Sequence, residues 1–297
     1  MSAESPNLAT RSVSGSAPRD IPPGLHFIAT PIGAARDITL RALDLLAGAD
    51  ILAAEDTRSL RHLMEIHGIA LGDRPLVSYH DHNEGQALPR LMRALHDGKS
   101  VVYASEAGTP LVSDPGFGLA RAAIAEGVTL LAAPGPSAVL CALTVSGLPS
   151  DRFLFAGFPP ATRAARRSFL TDLALIQATV ILYESPKRIQ ETLADSVQCF
   201  GEGRQAAVCR ELTKRFEDVT RGSLAELSKA YEGREVKGEI VLLIDRGPPV
   251  QATQEMVDAA LDHAMESMSV KDAAAAIAEA FGLARRDVYQ RALSLRK

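Results

Sequence analysis

The sequence predicts an α/β protein in which strands alternate with helices. Its patterning supports this fold class, its length and composition indicate the number of domains, and its charge limits the partners it can bind. From Leu25 onward, short apolar runs alternate with longer stretches whose apolar residues recur at intervals of three and four. The chain has 297 residues, 46% of them hydrophobic and 23% charged, so it can build about two folded domains. Lys and Arg number 32 against 36 Asp and Glu, giving a net charge of −4. A polyanionic partner would therefore have to meet a local basic patch.

Ten runs have the length and composition of strands, and most border on Gly, Pro or Asp. Five lie early in the chain, at 25–30, 50–55, 75–79, 100–105 and 128–133. Five more lie at 153–158, 179–185, 206–212, 216–222 and 239–245. The third and fourth runs of this second group flank a short charged connection, which predicts a hairpin.

Amphipathic stretches between the first five runs predict helices at 39–47, 57–67, 87–96 and 117–125, and an apolar helix is predicted after the fifth run, at 137–145. Such alternation implies a mostly parallel sheet covered by helices, with ligand sites at the carboxyl ends of the strands. A turn-rich segment at 147–151 predicts a domain boundary. The expected domains are 24–148 and 149–248, both α/β.

The two ends of the chain differ from this pattern. Residues 1–23 lack the apolar segment of a secretion signal and predict a disordered extension. Residues 249–297 are Ala-rich and predict a helical segment. From Ser269 onward they predict two helices broken at Gly282, the second one basic, which is the outline of a helix-turn-helix. An amphipathic helix pair that merely closes a domain is the alternative.

Cellular setting is predicted from cysteine usage and hydropathy. The 3 cysteines lack the spacing of a disulfide framework or a zinc site, so a reducing, cytoplasmic environment is expected. No apolar run approaches the roughly 20 residues that span a bilayer, so no membrane helix is expected.

Three loops rich in Pro and Gly follow strands at the same predicted sheet edge. They occupy 30–39, 104–116 and 133–138, and together they predict a rim around a ligand pocket. The first loop alone is also compatible with an ordinary turn. In the second loop Asp114 is placed to cap a helix that begins at Pro115, although this loop is too long and too polar for a simple connection. No G-x-G-x-x-G motif follows the first strand, which disfavours a dinucleotide-binding domain.

Titratable residues end two further strands at this edge. They are Glu55, Asp56, Arg58, His80, Asp81 and His82. These groups suit proton transfer or the binding of a polar substrate. A metal site is disfavoured, because the histidines have no clear third ligand at a suitable spacing.

Nine motifs in a fixed order carry a family resemblance. They are TPIG, AAEDTR, HDHNE, AGTPLVSDPG, PGPSA, LPSDRFLFAGF, YESPKR, RELTKRFE and KGEIVLLI. From about Leu25 to Ile244 the chain resembles the bacterial ribosomal RNA small subunit methyltransferase I family of the tetrapyrrole methylase-like superfamily. Residues 269–297 resemble the helix-turn-helix appended to many members.

The resemblance implies two α/β domains of tetrapyrrole methylase type with S-adenosylmethionine in the cleft between them. The implied activity is methylation of the ribose 2′-oxygen of a cytidine in the decoding centre of 16S ribosomal RNA. The implied partners are that RNA, within the small ribosomal subunit, and a second copy of the chain in a homodimer. No metal ion is implied, since the sulfonium is already an activated leaving group.

Site residues carry over from the matching motifs. The implied cofactor-binding residues are Pro31, Gly108, Thr109, Pro110, Ser113, Asp114, Pro134, Gly135, Ser137, Tyr183, Glu184, Arg210, Glu211, Gly238, Glu239 and Ile240. The candidates for orienting or deprotonating the 2′-hydroxyl are His80, Asp81, His82 and Glu106. Residues expected to be exposed and to bind RNA phosphates are Arg163, Arg166, Arg167, Lys187, Arg188, Lys214, Arg215, Arg285 and Arg286.

The chain departs from the family pattern at two places, and two other functions remain open. Glu106 stands where members commonly have an aspartate, and Ala34-Ala35 where they have an asparagine-leucine pair. One alternative function is C-methylation of a tetrapyrrole precursor, in a similar cofactor cleft. The other is a non-enzymatic nucleic-acid-binding regulator, which would leave the three Pro/Gly loops without a purpose.

Overall fold

A computed structural model describes residues 21–80, 82–247, 254–266 and 268–295. Predictions that fall on 1–20, on Asp81 and on 248–253 lie outside the described residues. The chain forms two compact units, of which the first ends at Asp245 and the second contains the C-terminal helices. Within the first unit, residues 24–148 are called the first half below, and residues 149–245 the second half.

The first half contains a five-stranded parallel sheet, as the alternation of strands and helices predicts. Its strands are β1 Gly24–Ile28, β2 Ile51–Ala54, β3 Leu76–Ser78, β4 Ser100–Ala104 and β5 Leu130–Ala133. The strand order is β3-β2-β4-β1-β5, with every pairing parallel. The loops that follow β1, β2 and β4 therefore emerge at the centre of the carboxyl edge.

Helices cover this sheet on both faces. Helices α1 Leu40–Gly48 and α2 Thr57–Ile66 lie on one face, and α3 Glu84–His96 and α4 Phe117–Ala125 lie on the other. The fifth helix of this half, α5 Ala138–Ser146, packs instead against the sheet of the second half. All five were predicted, although α3 begins three residues before its predicted start, because its polar first turn carries no apolar periodicity. Strand residues contribute alternately to two apolar clusters, with Leu25 and Phe27 in one and Ile28 in the other.

The second half contains a mixed five-stranded sheet. Its strands are β6 Phe153–Phe155, β7 Thr179–Glu184, β8 Gln205–Arg210, β9 Asp218–Ser223 and β10 Ile240–Ile244, in the order β6-β7-β10-β8-β9. Only the β6–β7 pairing is parallel, and β8 and β9 form the predicted hairpin. The helices are α6 Arg163–Ala174, α7 Ile189–Phe200 and α8 Leu224–Tyr231.

The C-terminal unit contains helices α9 Gln254–Met265, α10 Val270–Phe281 and α11 Arg285–Leu295. Ser269 accepts a hydrogen bond from the Asp272 backbone at the start of α10, and Gly282 ends that helix in the left-handed conformation, at φ 66°. The predicted helix pair is confirmed. In the described parts of the chain, no helix is long and apolar enough to span a membrane.

Candidate active site

A cleft of about 470 Å³ lies at the carboxyl edge of the parallel sheet and is walled by both halves. From the first half it is lined by Ile32, Glu55, Glu106, Ala107, Gly108, Thr109, Val112, Ser113, Asp114, Ser137 and Ala138. From the second half it is lined by Phe158, Tyr183, Glu184, Ser185, Pro186, Gly238, Glu239, Ile240 and Val241. Its volume is within the range of small-molecule and cofactor sites.

Hydrogen bonds join the three Pro/Gly loops of the first half into one wall. Thr30 and Gly108 exchange backbone hydrogen bonds of 2.9 and 3.0 Å, which tie the loop after β1 to the loop after β4. The Thr109 hydroxyl donates to the Pro136 carbonyl oxygen at 2.9 Å, which ties the second loop to the third. The predicted convergence of these loops is therefore what the structure shows.

The first wall is also fastened to the second half. The backbone N–H of Ala34 donates to the Thr213 hydroxyl at 3.1 Å. A Cβ added to Gly33 would lie 2.5 Å from Lys214 Cγ and 2.6 Å from Thr213 Oγ1. A glycine is thus required here because the β8–β9 connection packs directly against it.

A clasp between β8 and β10 supports the opposite wall. Glu211 accepts hydrogen bonds from the Glu239 backbone N–H and from Lys214 Nζ, each at 3.0 Å, and these bonds hold the pKa of Glu211 below its usual value. Gly238 has a φ of +92°, and a Cβ there would lie 2.4 Å from Glu211 Cδ. The clasp therefore fixes the backbone of Gly238, Glu239 and Ile240 where it lines the cleft.

Aromatic rings form part of the second wall. Tyr183 packs edge-on against Phe155 and Phe158, with ring centroids 4.7 and 5.6 Å apart. Burial raises the pKa of Tyr183 to about 12, with smaller contributions from Asp114 and Glu239, so its phenol is neutral at physiological pH. Phe158 is 57% exposed although it lines the cleft, so one side of its ring remains free.

Three carboxyl groups meet at one end of the cleft. Glu55 follows β2, Glu106 follows β4, and Asp114 comes from the loop before α4; the Glu106 backbone N–H donates to Glu55 Oε2 at 3.5 Å. Burial, together with the negative charges of Glu55 and Glu106, raises the pKa of Asp114 to about 7, although a hydrogen bond with Ser105 opposes part of this shift.

Two family models match the sequence. One, described as Tetrapyrrole (Corrin/Porphyrin) Methylases, matches residues 24–228, and the other, described as RsmI C-terminal HTH domain, matches residues 251–296. A protein of Mesorhizobium japonicum named ribosomal RNA small subunit methyltransferase I is 45% identical over 283 residues, which cover 94% of each chain. Proteins of the same name from Xylella fastidiosa and Mycobacterium tuberculosis are 43% and 41% identical, over 90% and 91% of this chain and 98% and 94% of theirs.

The chain belongs to the ribosomal RNA small subunit methyltransferase I family. This membership confirms the resemblance drawn from the nine motifs. It also confirms the predictions that the protein is an S-adenosylmethionine-dependent methyltransferase and that it carries a C-terminal helix-turn-helix domain.

Solved structures share the fold of this family member. The methyltransferase CobJ superposes with a TM-score of 0.57 at 18% identity, over 75% of this chain and 94% of that one. Diphthine synthase superposes with a TM-score of 0.55 at 20% identity, over 74% and 89%. These likenesses confirm the predicted tetrapyrrole methylase fold.

The cleft fits the family's cofactor in both charge and shape. S-adenosylmethionine carries a sulfonium and an ammonium against one carboxylate, so it is a net cation. Every charged side chain among the described residues that line the cleft is acidic: Glu55, Glu106, Asp114, Glu184 and Glu239. Apolar residues suited to an adenine ring are Ile32, Val112, Ala138, Ile240 and Val241.

Most of the predicted cofactor residues line the cleft. They are Gly108, Thr109, Ser113, Asp114, Ser137, Tyr183, Glu184, Gly238, Glu239 and Ile240. Six others do not appear in its lining: Pro31, Pro110, Pro134, Gly135, Arg210 and Glu211. Two of these six have packing roles instead, since Glu211 forms the clasp and a Cβ on Gly135 would lie 2.9 Å from Ala29 Cβ.

Of the predicted catalytic residues, Glu106 lines the cleft, whereas His80 and His82 do not. Strand order explains this difference, because the histidines follow β3 at the edge of the sheet and Glu106 follows β4 near its centre. His80 Nδ1 is buried and has no hydrogen-bond partner in the described part of the chain. Asp81 lies outside the described residues.

The prediction that Arg166 is exposed and binds RNA is wrong. Its side chain is 2% exposed, and its guanidinium donates to Asp195 at 2.9 Å and to Glu191 at 3.0 Å. Helical periodicity turns this residue of α6 toward α7, whereas its neighbour Arg167 faces solvent. A run of arginines therefore contains both a buried structural cation and an exposed one.

The other predicted RNA-binding residues divide in the same way. Arg188 pairs with Glu184 at 3.3 Å, and Lys214 pairs with Glu211 and Glu239 at 3.0 Å each, so both cations are already engaged. Arg163 reaches Asp195 at 3.3 Å but keeps 74% of its side chain exposed. Exposed members of the set that form no ion pair with another described residue are Arg167, Lys187, Arg215, Arg285 and Arg286.

Several lining residues were not predicted from the sequence, chiefly Ile32, Val112 and Phe158. Their apolar character makes them look like core residues in a sequence. A usable signal existed for Phe158, because Gly157 precedes it and two prolines follow it, and β6 already ends at Phe155. The remainder of the predicted strand 153–158 is loop, and an aromatic residue in a loop beside a cleft suggests contact with a ligand.

Proposed function

We propose that the protein transfers the methyl group of S-adenosylmethionine to the ribose 2′-oxygen of a cytidine in the decoding centre of 16S ribosomal RNA. Identity of 41–45% over at least 90% of the chain to proteins named ribosomal RNA small subunit methyltransferase I is the observation that carries this proposal. The cleft supports it with a lining suited to a cationic cofactor.

The residues proposed to hold the cofactor divide by chemistry. Apolar contacts from Ile32, Ala138 and Val241 would bind the adenine end, where a small adjoining cavity is also lined by Leu212 and Cys209. Backbone groups near Gly108, Ser137 and Gly238 would supply polar contacts. When bound, the cofactor supplies a methyl group on an activated sulfonium.

The cleft residues would then act chiefly by alignment. The hydrogen-bonded loops and the clasp fix both walls before any ligand arrives, so that little reorganisation accompanies binding. Phe158 and Tyr183 would exclude water from one side, and the free face of Phe158 is available to a planar base. The three-carboxyl end would stabilise positive charge and receive a proton.

RNA is proposed to approach over the exposed cations of the second half and of the terminal helices. Arg167, Lys187 and Arg215 remain for phosphate contact in the second half, and Arg285 and Arg286 in the C-terminal unit. We further propose that the substrate is RNA within the small ribosomal subunit, that the protein acts in the cytoplasm, and that it functions as a homodimer.

A methyl-transfer assay tests the main proposal. Purified protein is incubated with radiolabelled S-adenosylmethionine and either small ribosomal subunits lacking the modification or a reduced porphyrinoid substrate. Label in a 2′-O-methylcytidine of 16S ribosomal RNA is the expected result. Label in the porphyrinoid alone would favour tetrapyrrole methylation, and label in neither, with RNA binding retained, would favour a non-enzymatic regulator.

A further inference from the structure

Asp114 does not have the helix-capping role that its position in the sequence suggested. Helix α4 begins at Phe117, its N-cap residue is Gly116, and no side chain caps it. The Asp114 carboxyl lines the cleft instead. A partly buried acid without a capping role, in a site built for a reaction, requires another explanation.

The loop that carries Asp114 is held in an unfavourable conformation. Leu111 and Ser113 have φ values of 71° and 62°, a region that residues with a Cβ rarely adopt. Such conformations persist where surrounding structure enforces them, and they concentrate at functional sites. Here the Tyr103 hydroxyl donates to the Pro115 carbonyl oxygen at 3.1 Å, and Gly116 has space for no side chain, because its Cβ would lie 3.1 Å from both Leu111 and Tyr103.

Titratable groups from three elements face Asp114. Glu55 comes from the end of β2, Glu106 from the loop after β4, and Tyr183 from β7 across the cleft. With its pKa near 7, the Asp114 carboxyl can both bind and release a proton at physiological pH, which is what a general base requires. A cation in the cleft would lower this pKa and favour the carboxylate.

We infer that Asp114 is the catalytic base that accepts the proton of the ribose 2′-hydroxyl, an inference that rests on the proposed function. The 2′-oxygen loses its proton to a carboxylate oxygen of Asp114 and forms the new bond to the methyl carbon. The bond between that carbon and sulfur breaks, and its electron pair stays on the sulfur, which becomes a neutral thioether. Charge and atoms balance without a metal ion or a further reactant.

Geometry favours Asp114 over the histidines. His80 and His82 do not line the cleft, so neither is in position to contact a substrate oxygen held there. Asp114 reaches it from a loop that is anchored on both sides. Glu55 and Glu106 then have a positioning role, because their negative charges act through Asp114.

The test compares Asp114→Asn with Asp114→Glu and with the control Glu106→Gln. Single-turnover rates on small ribosomal subunits are measured at saturating cofactor from pH 5.5 to 9, and calorimetry measures binding of S-adenosylhomocysteine to each protein. Asp114→Asn is expected to lower the rate about 10²- to 10⁴-fold and to abolish the acidic limb of the pH profile. Measurable binding of S-adenosylhomocysteine by this variant shows that it is folded, and the saturating cofactor separates a loss of rate from a loss of affinity.

The other variants sharpen the assignment. Asp114→Glu should recover part of the rate and restore the acidic limb, and Glu106→Gln should keep that limb but move it to lower pH. A retained rate and limb in Asp114→Asn would overturn the inference, as would a loss confined to S-adenosylhomocysteine affinity. If the parent protein methylates no small subunit, the proposed function fails first, and the inference falls with it.

Discussion

Two regions of the molecule hold carboxyl groups away from water in opposite ways. Between α6 and α7, Asp195 is 3% exposed and accepts hydrogen bonds from Arg166 and Arg163. In the cleft, Asp114 faces two further acids, Glu55 and Glu106. The first region provides each buried acid with a cation, and the second places acids beside one another.

The contrast distinguishes a structural charge cluster from a reactive one. Removing charges from water is costly, and excellent geometry offsets much of that cost in a paired network. Clustered acids without such pairing retain this desolvation cost, which raises the pKa of the buried acid and lowers the free energy of unfolding. An enzyme tolerates this loss where the resulting reactivity is used.

The largest expected effect comes from breaking the paired network. Arg166→Met should lower the free energy of unfolding by about 3–5 kcal/mol, because it leaves Asp195 buried with only the more distant Arg163 as its cation. Urea denaturation measures this change. The matched control is Arg167→Met on the same helix, where the side chain is exposed and a change within about 0.5 kcal/mol is expected. Equal effects of the two substitutions would contradict the assignment of Arg166 as a structural residue.

This arginine pair also shows how far the sequence could predict the structure. Strand runs and helical periodicity predicted all ten strands and the helices of the first half, because each pattern reports burial along a single element. Neither pattern reports which acid lies opposite Arg166, since Asp195 is 29 residues away and the pairing depends on how α6 and α7 pack.

The candidate site, too, could be predicted only in part from the sequence. Loops after strands were predictable as a rim, because parallel strands end at one edge. The positions of His80 and Glu106 relative to the cleft could not be predicted, because they depend on strand order. Strand β3 lies at the edge of the sheet and β4 lies near its centre. The clasp of Glu211 could not be predicted either, because its backbone partner Glu239 is 28 residues away along the chain.

The second prediction concerns the cleft, where the buried acid Asp114 is expected to lower the stability of the folded protein. The pKa of Asp114 rises from 3.8 to about 7 on folding, so between those values the folded state binds more protons than the unfolded state. Stability should therefore fall as pH rises from about 4 to 7 and stay lowered above that range. Asp114→Asn removes this loss.

The variant is accordingly expected to gain thermal stability over the parent at pH 8 and to lose that advantage at pH 4. Thermal unfolding followed by circular dichroism at both pH values measures the difference. Asp56→Asn is the control, because the pKa of Asp56 is lowered by hydrogen bonds from Arg58 and its effect should have the reverse sign. An advantage of Asp114→Asn that does not depend on pH would show that folding does not raise the pKa of Asp114.

The smallest effect is expected from the exposed partner of the arginine pair. Arg167→Ala should leave stability nearly unchanged but remove one phosphate contact, which flattens the dependence of log affinity on log salt by about 0.7 to 0.9. Filter binding of 16S ribosomal RNA over a range of potassium chloride concentrations measures that slope. Lys229→Ala is a control within the second half, where a lysine of α8 carries no proposed RNA contact. An unaltered slope in Arg167→Ala would mean that this face of α6 does not meet RNA, and the contact surface would then have to be sought around Lys187 and Arg215, which belong to the same half and are also exposed.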